Sequence, residues 1–152
     1  MNEIKIRKAK EIEIEWINKK YDEVNFKKSQ FENEFIGIAE ISDLNCGIGR
    51  IVKIDFENYE LGGMYVFEEF RNKGVAEKIV EFLIQIENLE NKNIWCLPFE
   101  NLENFYAKFG FKIVVENKIE IPKEIFEKHA WCNNTYEKKV LLMVKESNLP
   151  IR

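Results

Sequence analysis

A run of mostly apolar residues, 59–67, breaks off into the polar connector Glu68-Glu69-Phe70-Arg71-Asn72-Lys73, and Gly74 then opens an amphipathic stretch. Val75, Ala76, Ile79, Val80, Phe82, Leu83, Ile86 and Leu89 recur at helical spacing, with Glu77, Lys78, Glu81 and Gln85 opposite. This predicts a strand ending at Val66 or Phe67, a short loop, and a helix from Gly74 to about Leu89. A second strand, residues 93–97, follows and stops at Pro98. Strand, crossover helix and strand imply a parallel pair within one sheet. The loop brings backbone N–H groups, the cations Arg71 and Lys73, and a helix N-terminus to one place. The first N–H groups of a helix lack internal acceptors and its dipole favours an anion, so this geometry suits a phosphate. Gly74 lets such a group approach the backbone closely. On these residues alone, the alternative is an ordinary connection carrying solvated charges. A nucleotide P-loop is excluded, because it needs Gly-Lys-Ser/Thr and here Lys73 precedes the glycine.

The flanking segments predict the rest of a mixed sheet. Residues 3–7 alternate and read as a strand. Residues 11–24 place Ile12, Trp16, Ile17, Tyr21 and Val24 near one helical face, although the opening Glu-Ile-Glu-Ile-Glu also alternates. Residues 26–31 read as a connector or a short second helix. Strands are expected at 35–41, 50–56 and 59–67, with turns at 42–49 and 57–58, which makes an antiparallel meander. Beyond Pro98, Asn101 is a candidate N-cap for a helix carrying Leu102, Phe105, Tyr106 and Phe109, with Gly110 as its C-cap. Residues 111–115 and 139–145 read as strands, and 122–131 as a helix.

The chain has 152 residues and 45% hydrophobic composition, enough for one domain with its own core, so residues 1–152 read as a single domain. A net charge of −4 argues against nucleic acid as the main partner. No apolar run approaches the ~20 residues of a membrane span. The N-terminal residues carry no signal-peptide core, so the chain reads as cytoplasmic. Cys46, Cys96 and Cys132 form no CxxC, and His129 is the only histidine. Neither a metal site, a disulfide framework nor a Ser-His-Asp triad is signalled; Cys132 and His129 are read as structural, and Cys96 as a buried structural cysteine with a covalent acyl-cysteine as the alternative.

Two motifs carry a family resemblance. Arg71-Asn72-Lys73-Gly74-Val75-Ala76 resembles the Arg/Gln-x-x-Gly-x-Gly/Ala segment of the GNAT superfamily of acyl-CoA-dependent N-acetyltransferases, and Phe105-Tyr-Ala-Lys-Phe-Gly-Phe111 resembles its aromatic-Tyr-x-x-x-Gly-Phe helix end. The resemblance covers roughly residues 60–111. It implies an α/β (α+β) fold: a mixed, mostly antiparallel sheet flanked by helices on both faces, with splayed central parallel strands. It implies acetyl-CoA as co-substrate, with its pyrophosphate on Arg71, Asn72, Lys73, Gly74, Val75 and Ala76. Its pantetheine arm would lie on the backbone of Val66 and Phe67, where one N–H would also meet the developing oxyanion.

The activity so implied is acetyl transfer to a primary amine by direct attack, without a metal. Tyr106 matches the family tyrosine that protonates the leaving thiolate; the alternative is one more aromatic in a core stripe. Glu60 is the carboxylate available as base, directly or through water, and the alternative is an exposed glutamate near a turn. Gly62-Gly63 marks a bulge, a close approach or a simple kink. Glu68, Glu69 and the lysines at 19, 20, 27 and 28 read as solvated charges, while the resemblance makes Tyr21, Glu23 and Phe26, in the segment that borders the family's acceptor site, candidates for acceptor contacts. Asn101 and Asn104 are looser cofactor candidates. The partner is then a small-molecule or peptide amine, with no nucleic acid and no membrane, and a homodimer is left open. A non-catalytic acyl-CoA sensor or interaction module on the same fold is the rival reading.

Overall fold

A computed structural model describes residues 3–86, 89–115 and 117–147. Its strands are β1 (Ile4–Lys8), β2 (Glu34–Ile41), β3 (Leu44–Lys53), β4 (Asn58–Val66), β5 (Asn93–Cys96), β6 (Lys112–Ile113) and β7 (Met143–Lys145). Its helices are α1 (Ile14–Glu23), α2 (Val75–Ile84), α3 (Glu103–Ala107) and α4 (Lys123–Thr135). Hydrogen-bonded neighbours follow the order β1-β2-β3-β4-β5-β7-β6. β1–β2, β2–β3, β5–β7 and β6–β7 are antiparallel, and β4–β5 is the expected parallel pair. The sheet is thus mixed and mostly antiparallel.

Two compact units make up the chain, Met1–Val52 with Gly63–Ile86 and Lys53–Gly62 with Glu87–Arg152. In the first unit, alternation along the strands separates two packing faces. Ile36, Ile38 and Ile48 point to one face and form a core with Ile17 and Tyr21 of α1. Gly37, Gly47 and Gly49 point to the other, under α2, whose Val75, Ile79 and Leu83 are buried there. The meander's turn is tighter than its composition predicts. Ser42 and Asp43, at φ 51° and 65°, make the whole turn as a two-residue left-handed corner. The glycines assigned above to that turn lie inside β3, because α2 leaves no room for a side chain. A Cβ on Gly49 would come within 2.5 Å of both Ile79 Cγ2 and Met64 Sδ. Gly49→Ala is therefore expected to destabilise the protein by roughly 2 kcal/mol through overpacking, read from the urea midpoint at unchanged slope.

Other boundaries shift for local reasons. Residues 11–13 form a 3-10 turn ahead of α1, so Ile12 leaves the apolar face and is exposed. Residues 26–31 form no helix. Instead Asn18 Nδ2 donates to Ser29 O at 2.9 Å, and Ser29 N–H donates to Asn18 Oδ1 at 2.7 Å, tying this connector to α1. β3 stops at Lys53, short of the expected 56. α2 ends at Ile84, short of Leu89, which belongs to a separate 3-10 turn; 87 and 88 of that expected helix lie outside the described residues, as do 1 and 2 of the N-terminal segment.

In the second unit, Trp95, Ile125 and Val144 form a core joining β5, α4 and β7. The expected strands at 111–115 and 139–145 shrink to β6 and β7, with Val140 reaching Phe99 only as an isolated bridge. Phe99, not Asn101, caps the 3-10 turn that precedes α3, and Asn101 and Asn104 are exposed.

Candidate functional site

The loop after β4 belongs to the first unit. Phe67 is buried and its N–H donates to Cys46 O at 2.9 Å, fixing where the strand ends. One turn of 3-10 helix, Glu68–Phe70, follows, and Phe70 N–H closes it on Phe67 O at 2.9 Å. Arg71 Nε donates to Val66 O at 3.1 Å, so the guanidinium lies along the strand end. Asn72 and Gly74 take left-handed φ of 64° and 83°, and these two reversals turn the chain into α2. Residues 71–74 are exposed, while Val75 is buried and anchors the helix start. A Cβ on Gly74 would meet nothing within 4 Å, so the backbone there is open to a ligand. The loop therefore presents two cationic side chains, an unobstructed glycine and the N-terminus of a ten-residue helix.

Gly63 in the preceding strand has a distinct cause. It sits at φ 60°, and a Cβ would come within 2.6 Å of Tyr21 Oη and 2.9 Å of Arg50 Nε. Tyr21 Oη donates to Gly63 O at 2.8 Å. The glycine is a close approach, not a simple kink. Arg50 is buried beneath it, with its guanidinium 4.6 Å from the centre of the Tyr21 ring, donating to Ser29 Oγ and to Lys27 O. Of the acceptor-border candidates, Tyr21 is thus consumed inside the core and Phe26 packs on it. Glu23 stays exposed and accepts from Tyr65 Oη at 2.9 Å.

In the second unit the parallel ladder pairs Glu60 with Trp95 and Leu61 with Cys96, where β5 ends. This register sets Glu60 on the Trp95 face, the face α4 covers. Glu60 is only 6% exposed, contrary to an exposed glutamate near a turn, and its Oε2 accepts from Lys128 Nζ at 2.6 Å. Tyr106 on α3 is buried, with its ring edge-on to Phe105 and Phe111. Phe111 N–H donates to Tyr106 O and Gly110 N–H to Ala107 O, with Gly110 at φ 97°. This is a Schellman cap, and it gives the Tyr-x-x-x-Gly-Phe spacing its physical reason: the glycine ends the helix and turns Phe111 back under Tyr106. Burial, and secondarily Cys96, pushes the Tyr106 phenol above its ordinary range, so it holds its proton. Burial, and secondarily Glu60, likewise pushes the Cys96 thiol well up, which argues against a cysteine nucleophile. His129 faces Val140 O at 2.8 Å and Cys132 is buried. Among the described residues no group of three His, Cys, Asp or Glu side chains gathers as a metal site. No helix among them is long and apolar enough to cross a membrane.

A family model described as an acetyltransferase (GNAT) domain matches residues 32–113, more than half of the chain. The chain belongs to the GNAT acetyltransferase family. The matched span contains β2 to β6, the 71–76 loop and the Tyr106 cap. A search of curated protein sequences returns no match.

Solved structures share the GNAT fold at low identity. Rv2747 from Mycobacterium tuberculosis, in complex with CoA and NLQ, matches at TM-score 0.72 and 19% identity over 95% of this chain and 99% of its own. N-acetylglutamate synthase from Neisseria gonorrhoeae, complexed with coenzyme A and N-acetyl-glutamate, matches at 0.69 and 15%, over 97% of this chain but 36% of its own. Arabidopsis thaliana Naa50, in complex with the bisubstrate analogue CoA-Ac-MVNAL, matches at 0.65 and 13%, over 94% and 98%.

Among the residues expected at a GNAT active site, the structure gathers residues 66–76 around one strand end and helix start. It places Tyr106 and Glu60 in the second unit, each an electrostatic neighbour of Cys96. Glu68 and Glu69 are exposed, as solvated charges should be. Lys128 and Arg50 were not anticipated from the sequence. Alternation around Arg50, which puts a charge on the inward face of an apolar strand, is the one signal that marked either.

Proposed function

We propose that this protein transfers the acetyl group of acetyl-CoA to a primary amine by direct attack in a ternary complex. The observation that carries the reading is the loop at 71–76 in a GNAT chain, whose exposed cations and open Gly74 stand at the N-terminus of α2. Its backbone N–H groups, with Arg71 and Lys73, hold the pyrophosphate, and the backbone of Val66 receives a pantetheine amide, the Phe67 N–H and carbonyl being engaged by Cys46 O and Phe70 N–H. Arg71 then moves its Nε off Val66 O to free that carbonyl.

The acceptor arrives as an ammonium and gives one proton to Glu60, directly or through water. The free amine attacks the thioester carbon, forming the C–N bond. The C–S bond breaks and the thiolate takes its proton from Tyr106. The amide nitrogen gives its second proton to the Tyr106 phenolate, and Glu60 passes its own proton to solvent, which restores both groups. The phenol suits this acid role because burial keeps it protonated at working pH. That solved relatives hold N-acetyl-glutamate or a peptide bisubstrate analogue supports an amino acid or peptide amine as acceptor class.

The test follows thiol release from acetyl-CoA with L-glutamate, spermidine or a short peptide with a free N-terminus, and identifies the product by mass. Amine-dependent release with a mass gain of one acetyl group supports the reading. Acetyl-CoA binding without amine-dependent release favours the non-catalytic sensor.

A further inference from the structure

The ion pair between Glu60 and Lys128 joins residues far apart in the chain, on β4 and α4. Both belong to the second unit. The carboxylate side chain is 7% exposed and the lysine side chain 25%. Lys128 Nζ sits 2.6 Å from Oε2, and no described residue donates to Oε1. Nor is Oε1 a sealed, unsatisfied atom: among the described residues, the one such oxygen belongs to Glu34. One carboxylate oxygen is therefore clamped, and the other has no described donor and is not wholly sealed from solvent. Neighbouring side chains leave little else to fix the group. Trp95, its register partner, donates its Nε1–H to Asn58 Oδ1 at 2.9 Å and not to Glu60. Cys96, whose thiol Glu60 perturbs, stays a neutral neighbour.

We infer that Lys128 is the positioning residue for Glu60, holding the carboxylate by Oε2 so that Oε1 takes the acceptor's proton. The inference rests on the acetyltransferase reading above. Lys128 touches neither substrate in this account and acts through Glu60 alone. A carboxylate that must accept a proton at one oxygen gains from having its orientation set beforehand, because a loosely held base loses much of its effect.

The experiment is a double-mutant cycle on the full chain: Lys128→Met, Glu60→Gln, both together, and Lys128→Arg, assayed with acetyl-CoA and the amines named above. Lys128→Met is expected to lower kcat about 10-fold, with KM for acetyl-CoA within about 2-fold of wild type. Lys128→Arg, which keeps charge and donor, recovers most of the rate. In the Glu60→Gln background, Met at 128 has no further effect on kcat. A merely structural lysine would lower thermal stability without this split and without this epistasis. Should Lys128→Met fail to fold, Lys128→Gln is read in the same way.

Unchanged kcat in folded Lys128→Met, or equal additional losses in both backgrounds, overturns the inference while the acetyltransferase reading stands. A folded wild type that is silent with every amine removes that reading and the inference with it.

Discussion

Replacing Tyr106 with Phe is expected to lower kcat about 100-fold while leaving acetyl-CoA affinity and thermal stability close to wild type. The substitution removes one hydroxyl from a ring already held by Phe105 and Phe111, so packing survives. What is lost is the proton for the departing thiolate. The raised pKa fixes the pH behaviour. Because burial lifts the phenol above its ordinary value of about 10, Tyr106 stays protonated through neutral and mildly alkaline solution. Wild-type kcat should therefore show no fall assignable to this group as pH rises from 7 to about 10. Stopped-time thiol release across that range checks both statements. A Phe variant with full turnover removes Tyr106 as the acid and leaves the ring as a core aromatic.

The second large effect concerns the loop. Arg71→Glu combined with Gly74→Asp is expected to weaken acetyl-CoA binding by about 100-fold, which is about 2.7 kcal/mol. Two carboxylates then face the pyrophosphate, at the helix end whose dipole otherwise favours an anion. The backbone contributes too, since Gly74 at φ 83° is a conformation that costs another residue roughly 1 kcal/mol or more. A Cβ at this position meets no atom within 4 Å, so the fold should persist and the loss should be one of binding. Circular dichroism and the urea midpoint separate the two. Retained affinity in a folded double variant would move the cofactor off this loop.

Short-range chemistry made much of this legible. The loop and its helix are written into adjacent residues: an apolar strand, a glycine with positive φ, and apolar spacing that resumes at Val75. The Schellman cap at Gly110 is equally local. Packing across the chain was not legible. Gly47 and Gly49 look like turn residues by composition, yet they lie in mid-strand because Val75, Ile79 and Leu83 of α2 press on that face. Nothing beside Gly63 in the sequence distinguishes a kink from a close approach, because Tyr21 and Arg50, which press on it, come from α1 and β3. Lys128 carries no motif and is one lysine on a polar helix; only the pairing of β4 with β5 and the docking of α4 bring it to Glu60. Glu60 reads as exposed by its place just after the turn at 57–58, whereas its register with Trp95 sets it on the face that α4 covers.

Calorimetric titration of acetyl-CoA into the wild-type protein tests the account most directly. One site with micromolar affinity, lost in the Arg71→Glu, Gly74→Asp variant, is the predicted result. A demonstrably folded wild-type protein that binds no acetyl-CoA would contradict it, leaving a GNAT fold without its co-substrate.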